Sequence, residues 1–226
     1  MIGGGAGQAS LRLAVFDLDG TLTWRDSLAP FLAGYLRLHP RRLPRLWRVP
    51  AAVGAYVGGS RDRGALKSRL IQIAMAGEPR AAVDAWADAY VRALGPRGAY
   101  RADALRRVER HRASGDLLIL LSASPDLYVP RIGAALGFAA TLCTEVRWQG
   151  DRLDGRLITP NRRGEEKRRC LERLRQLHPG ATITAYGNSA SDFDHLRAAD
   201  HGVLVNAGRS ARRAAGSLGL DVEEWR

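Results

Sequence analysis

Apolar positions along the chain follow two rhythms. Short continuous runs stop abruptly at polar residues and read as buried strands; longer stretches repeat apolar residues every three or four positions and read as helices. Leu13-Ala14-Val15-Phe16 is the first run, and it ends in Asp17-Leu18-Asp19-Gly20-Thr21. From Trp24 to Arg112 there is no strand signal. Asp26-Ser27 can cap a helix through Phe31, Leu32, Tyr35 and Leu36. Helical patterns follow over 43–57, 64–76, 79–94 and 102–113, punctuated by Gly58-Gly59, Gly77 and Gly95-Pro96. Strands and helices then alternate. The run 116–121 ends in Ser122-Ala123-Ser124, with Pro125 suited to the first turn of a helix through Tyr128, Ile132 and Leu136. Alternating runs over 141–147 and 152–158 predict a hairpin. A helix opens at Gly164-Glu165-Glu166-Lys167, a strand over 182–186 ends in Gly187-Asn188, and 202–206 is the last predicted strand. A closing helix, 209–218, leads to a short acidic tail.

The predicted class is α/β, with a helical block inserted straight after the first strand. Residues 11–24 and 113–226 form the expected core, 25–112 the inserted helical cap, and 1–10, rich in glycine and lacking a signal-peptide pattern, a disordered leader. No apolar run approaches the roughly 20 residues needed to span a bilayer. Two cysteines, Cys143 and Cys170, supply neither a disulfide framework nor metal-site spacing, so a reducing, cytoplasmic setting is expected.

Charge sharpens the picture. The net charge is +12, and only two of the 35 basic residues, Lys67 and Lys167, are lysines. Between Arg37 and Ala76 nine basic residues face a single acid, Asp62. Arg41, Arg42, Arg45, Arg48 and Trp47 interleave with Leu43, Leu46, Val49, Val53, Tyr56 and Val57, a pattern met both in ordinary cap helices and in helices lying on anionic membranes. Peripheral contact with an anionic membrane through this basic cap is therefore an expectation; no nucleic-acid motif accompanies the charge, so no nucleic-acid partner is expected.

The candidate chemistry gathers at strand ends. Asp17 and Asp19, two positions apart in an extended segment, can face one ligand, and Gly20 permits a turn that brings backbone amides and the Thr21 hydroxyl towards an anion. Ser122 lies where a phosphate oxygen could be held by a hydroxyl and backbone amides ahead of a helix. Lys167 stands beside a glycine turn in an arginine-saturated chain, at a place where a compact ammonium is a narrower demand than charge alone.

Four pieces in this order, Phe16-Asp17-Leu18-Asp19-Gly20-Thr21, Leu121-Ser122-Ala123-Ser124, Gly164-Glu165-Glu166-Lys167 and Tyr186-Gly187-Asn188-Ser189 with Asp192, resemble the motifs of the haloacid dehalogenase (HAD) superfamily. The helical insertion resembles the cap of its phosphoserine-phosphatase-like branch, subfamily IB. The resemblance implies a Rossmann-like parallel sheet and a Mg²⁺-dependent phosphomonoesterase acting on a small phosphorylated metabolite. Asp17 would be the nucleophile and Asp19 the acid and base. Thr21, Ser122, Ala123 and Lys167 would hold phosphate, and Asp17, Asp19, Asn188 and Asp192 would surround the metal. One position departs: the family commonly has aspartate where this chain has Asn188. That departure allows one alternative, a non-catalytic phosphate-binding homologue, and the basic cap suggests another, a lipid-phosphate phosphatase at an anionic membrane surface.

Overall fold

A computed structural model of the chain describes residues 10–59 and 61–226. The leader expected over 1–10 lies outside these residues, except for the exposed Ser10. The strands are β1 (Arg12–Phe16), β2 (Leu117–Pro125), β3 (Ala140–Thr144), β4 (Val146–Gln149), β5 (Arg152–Leu157), β6 (Thr182–Gly187), β7 (His201–Val205) and β8 (Asp221–Glu223). Among the described residues, six of them form one parallel sheet in the order β3-β2-β1-β6-β7-β8, and β4 and β5 pair as a separate antiparallel hairpin. The helices are α1 (Leu28–Leu38), α2 (Val49–Gly58), α3 (Arg63–Met75), α4 (Arg80–Leu94), α5 (Ala102–Ala113), α6 (Val129–Ala135), α7 (Glu165–Leu177), α8 (Phe193–Ala198) and α9 (Arg209–Ser217).

Parallel strands covered on both faces need apolar residues at every position, which is why β1 reads as an unbroken run. Its residues alternate between two cores. Leu13 and Val15 pack with Leu171 and Leu174 of α7, Leu196 of α8 and Ala215 of α9. Ala14 and Phe16 face the opposite layer, with Ala104 and Val108 of α5 and Ile132 of α6.

The cap leaves and re-enters the core through two paired stalks. Trp24 N–H donates to the Ala99 carbonyl at 3.1 Å, and Arg101 N–H to the Leu22 carbonyl at 2.9 Å. An aromatic cluster then seats the cap: Phe31 lies 4.5 Å from the Tyr128 ring and Tyr90 5.5 Å from it, centroid to centroid.

The structure corrects several expectations. Helix α5, assigned to the cap, is a core helix: His111 packs edge-on against Phe16, and Arg107 pairs with Glu223 of β8. The run over 141–147 is divided, β3 joining the main sheet and β4 the hairpin, and that hairpin docks on the cap through Gly77 and Glu78, which bond to the Leu153 backbone. Strand β2 continues to Pro125, which is paired with Thr144, and Pro130 occupies the first turn of α6 instead. The predicted helix over 43–57 is two elements, a tight helical turn, Pro40–Arg48, holding Pro44, and then α2, which begins beside Pro50. Part of the acidic tail is β8, three residues being too few to show a period.

Candidate active site

From β1 the chain moves outward to β2 and β3 on one side and later to β6, β7 and β8 on the other, so the crevice at the carboxyl end of β1 is the topological switch point where ligands bind in open α/β sheets. Asp17 stands there, its N–H tied to the Tyr186 carbonyl of β6 at 3.0 Å. The chain then turns tightly through Leu18–Leu22, with Gly20 at φ +83°. A Cβ on Gly20 would lie 2.1 Å from Nδ2 of Asn188, so glycine serves both the turn and the close approach of β1 and β6 loops.

Asp17 is buried and each of its oxygens has a donor. Lys167 Nζ donates to Oδ1 at 2.6 Å and the Thr21 hydroxyl to Oδ2 at 3.0 Å. The same ammonium, only 3% exposed, donates to Asp192 Oδ1 at 2.7 Å. The other oxygen of Asp192 accepts from the backbone N–H groups of Ser189 and Asn188 at 3.0 and 3.2 Å, and from the Ser189 hydroxyl at 2.8 Å. Burial would raise Asp192, but Lys167 and these donors outweigh it and hold its carboxyl well below the usual range. Burial pushes Asp17 up to about 7, against the opposing pull of Lys167, because two buried carboxylates share one ammonium. Lys167 itself is raised: burial would lower it, but its two carboxylates prevail. His195, buried behind Asp192, is pushed down to about 3 by burial and by Lys167, and stays neutral.

Asp19 faces the same crevice. It accepts from Ser27 N–H at 2.7 Å and from the Ser124 hydroxyl at 2.5 Å. Burial raises its carboxyl, with Asp26 adding to the effect and the Ser124 and Ser27 donors opposing it. A raised carboxyl held by two donors is suited to carry a proton to a leaving group.

A cavity of about 320 Å³ opens over Asp17, Asp19 and Lys167. Leu28, Leu32, Leu66 and Leu70 of the cap make its apolar wall, and Arg63, Lys67 and Arg163 its cationic rim. Sequence reasoning did not select Ser124, Lys67, Arg63 or Arg163. The signals were present: Ser124 is two positions from Ser122 in an extended strand, and Lys67 is the other of the two lysines. Lys67 Nζ bonds to the Ala123 carbonyl and, at 2.8 Å, to Asn161 Oδ1, and burial lowers it to about 8. Thr144 also donates to the Ala123 carbonyl, at 2.9 Å. Ser122 is fully buried, its hydroxyl accepting the Ser124 amide at 3.0 Å.

Among the described residues no group of three or more His, Cys, Asp or Glu side chains is arranged to hold a metal ion. The oxygen donors that line the cavity beside Asp17 include the carboxylates of Asp19 and Asp192 and the side-chain amide of Asn188, which lies against Gly20 with its Nδ2 the nearest atom. This set fits Mg²⁺, which takes one or two carboxylates and completes its shell with water and phosphate oxygens. Asp192, expected among the metal ligands, lines the same cavity and shares the Lys167 ammonium with Asp17, its other oxygen taking donors from the 188–189 turn.

The family model of haloacid dehalogenase-like hydrolases matches residues 14–197. The chain is 34% identical over 203 residues to Protein CicA of Caulobacter vibrioides, covering 88% of each. A crystal structure of a protein of unknown function from Bordetella pertussis Tohama I superposes with a TM-score of 0.77 at 25% identity, covering 94% of this chain and 98% of that one. A phosphoserine phosphatase, solved as a phospho-aspartyl intermediate analogue, shares the fold at a TM-score of 0.64 and 14% identity, over 94% of this chain and 92% of the other.

Proposed function

The chain belongs to the haloacid dehalogenase-like hydrolases, and from that premise we propose that it hydrolyses phosphomonoesters through a phosphoryl group carried on Asp17. The observation behind this reading is the pairing of two differently held carboxylates at the end of β1. Asp17 is fixed by Lys167 and Thr21 in the floor, and Asp19 is held by Ser27 and Ser124 in the wall.

Asp17 attacks phosphorus while the bond to the ester oxygen breaks, and Asp19 delivers its proton to that oxygen. Asp19, now a carboxylate, takes a proton from the water that attacks the phosphoryl-aspartate, which releases phosphate and restores Asp17. Thr21, Ser122, the Ala123 backbone and Lys167 hold the phosphoryl oxygens and stabilise the charge that develops on them. Asp17, Asn188, Asp192 and the Asp19 carbonyl would hold Mg²⁺, which would supply positive charge where carboxylate and phosphate meet. The cavity volume of about 320 Å³ suits a small phosphorylated molecule.

The test is to present a panel of phosphomonoesters with Mg²⁺ to the wild type and to Asp17→Asn. The variant should keep its fold and lose turnover, and acid-quenched wild type should carry phosphate on the peptide containing Asp17. Near-normal hydrolysis by Asp17→Asn would overturn the mechanism.

A further inference from the structure

Helix α2 does not match its surroundings. Its ten residues, Val49–Gly58, are valine, proline, alanine, glycine and one tyrosine. A helix that is apolar on all sides is ordinarily a buried one. Here only Ala52 is buried, while Val53 and Val57 are 41% and 60% exposed. The helical turn before it, Pro40–Arg48, buries none of its residues and leaves Leu43, Leu46 and Trp47 in the open, the tryptophan 73% exposed. With Leu38, these residues bring more than half of the exposed large apolar side chains of the described residues into one segment of the cap, 38–57. A concentration of this kind marks a surface that is covered in use.

Charge indicates what covers it. Residues 27–61 contain six arginines and not one aspartate or glutamate. Arg37, Arg41, Arg45 and Arg48 are exposed, and among the described residues of this segment Arg42 alone reaches an acid, Glu78. Arg48 lies over the Trp47 ring, 5.4 Å from its centroid, so cation and aromatic plate share one edge of the patch. A second copy of this chain would set one acid-free, arginine-bearing face against another. A nucleic acid would answer the charge and leave Val53, Val57 and Trp47 without apolar cover.

We propose that this face docks on an anionic phospholipid surface. The Pro40–Arg48 turn and α2 lie in the headgroup layer, with Trp47, Val53 and Val57 reaching towards the acyl chains and Arg41, Arg45 and Arg48 among the lipid phosphates. Tyr56, on the same helix, lines the active-site cavity, so docking holds one wall of that cavity beside the bilayer. Docking stands on the surface alone and does not depend on the chemistry proposed for Asp17.

The test is co-sedimentation at low salt with vesicles of phosphatidylcholine alone and of phosphatidylcholine mixed with phosphatidylserine. Two triple variants accompany the wild type: Arg41→Gln, Arg45→Gln and Arg48→Gln together, and Trp47→Ser, Val53→Ser and Val57→Ser together, each first shown to melt as the wild type does. The wild type should bind the mixed vesicles and not the zwitterionic ones, and high salt should release it. Each triple variant should weaken partitioning at least about tenfold. Absence of binding to the mixed vesicles overturns the proposal, as does binding that neither variant weakens. A wild-type dimer that the serine variant dissociates, with no vesicle binding, would assign the face to self-association and overturn it equally.

Discussion

Replacing Lys167 by methionine tests how the floor of the site is held together. The ammonium lies 2.6 Å from Asp17 and 2.7 Å from Asp192, and is 3% exposed. Methionine nearly fills the space and removes the charge, leaving two carboxylates buried side by side without their shared cation. Removing one partner of a buried ion pair costs about 3–5 kcal/mol, because the remaining charge stays desolvated and unpaired. For a chain of this length that is a fall in melting temperature of about 6–20 °C. The pH dependence has a definite sign. In the wild type Asp192 lies below its unfolded value, so its contribution is present above about pH 4 and is lost only as pH falls further. Lys167 is raised, so its contribution is complete below its unfolded value of about 10.4; neither changes between pH 5 and 7. Asp17, pushed up to about 7, makes the fold bind more protons than the unfolded chain, so stability drifts downward as pH rises towards 7. Without Lys167 both carboxylates rise, and that downward slope must steepen. Urea unfolding in chelator-containing buffer at pH 5 and pH 7 reads both effects: a large loss at pH 7, partly recovered at pH 5. A loss below about 1 kcal/mol at pH 7, or a slope no steeper than the wild type's, would refute the arrangement, since a surface ion pair is worth no more than that.

Two further outcomes bear on Asn188. Asn188→Asp adds a negative charge beside Asp17 and should lower the Mg²⁺ concentration for half-maximal hydrolysis about tenfold, corresponding to about 1.4 kcal/mol; superimposable titration curves would remove Asn188 from the metal site. Gly20→Ala forces an L-residue to φ +83° and drives its Cβ to 2.1 Å from the Asn188 amide. The left-handed backbone should cost about 1–2 kcal/mol, seen as a drop of a few degrees in melting temperature, while displacement of Asn188 should cut turnover far more than that destabilisation explains. Activity that stays intact despite the lower melting temperature would show that Asn188 has no part in the reaction.

The floor of the site was legible because its chemistry is written locally. A buried strand has to end in a turn, and Asp17, Asp19, Gly20 and Thr21 declare the turn, its φ and its polar groups within five residues. The limits of the cap were not legible in the same way. Whether α5 belongs to cap or core depends on His111 meeting Phe16 and on Arg107 meeting Glu223, contacts made across roughly a hundred residues of chain that leave no trace in the helix's own periodicity. The splitting of 141–147 between two sheets has the same origin. Thr144 pairs with Pro125 in the main sheet, and two residues later Val146 pairs with Leu157, so one alternating run serves two partners.

In a chain that meets nearly every need for positive charge with arginine, both lysines line the same cavity. Geometry explains why. Lys167 fits its ammonium between two carboxylates that are themselves buried, and Lys67 fits between the Ala123 carbonyl and the Asn161 amide. A guanidinium is a wide planar fork, and at either place it would have to displace one of the groups it is meant to bridge. Lys67 also ties helix α3 of the cap to the 122–124 segment of the core, while Lys167 ties α7 to the floor. The two lysines thus mark the floor and the rim of one cavity, and the rarity of lysine elsewhere points to that cavity before any distance is measured.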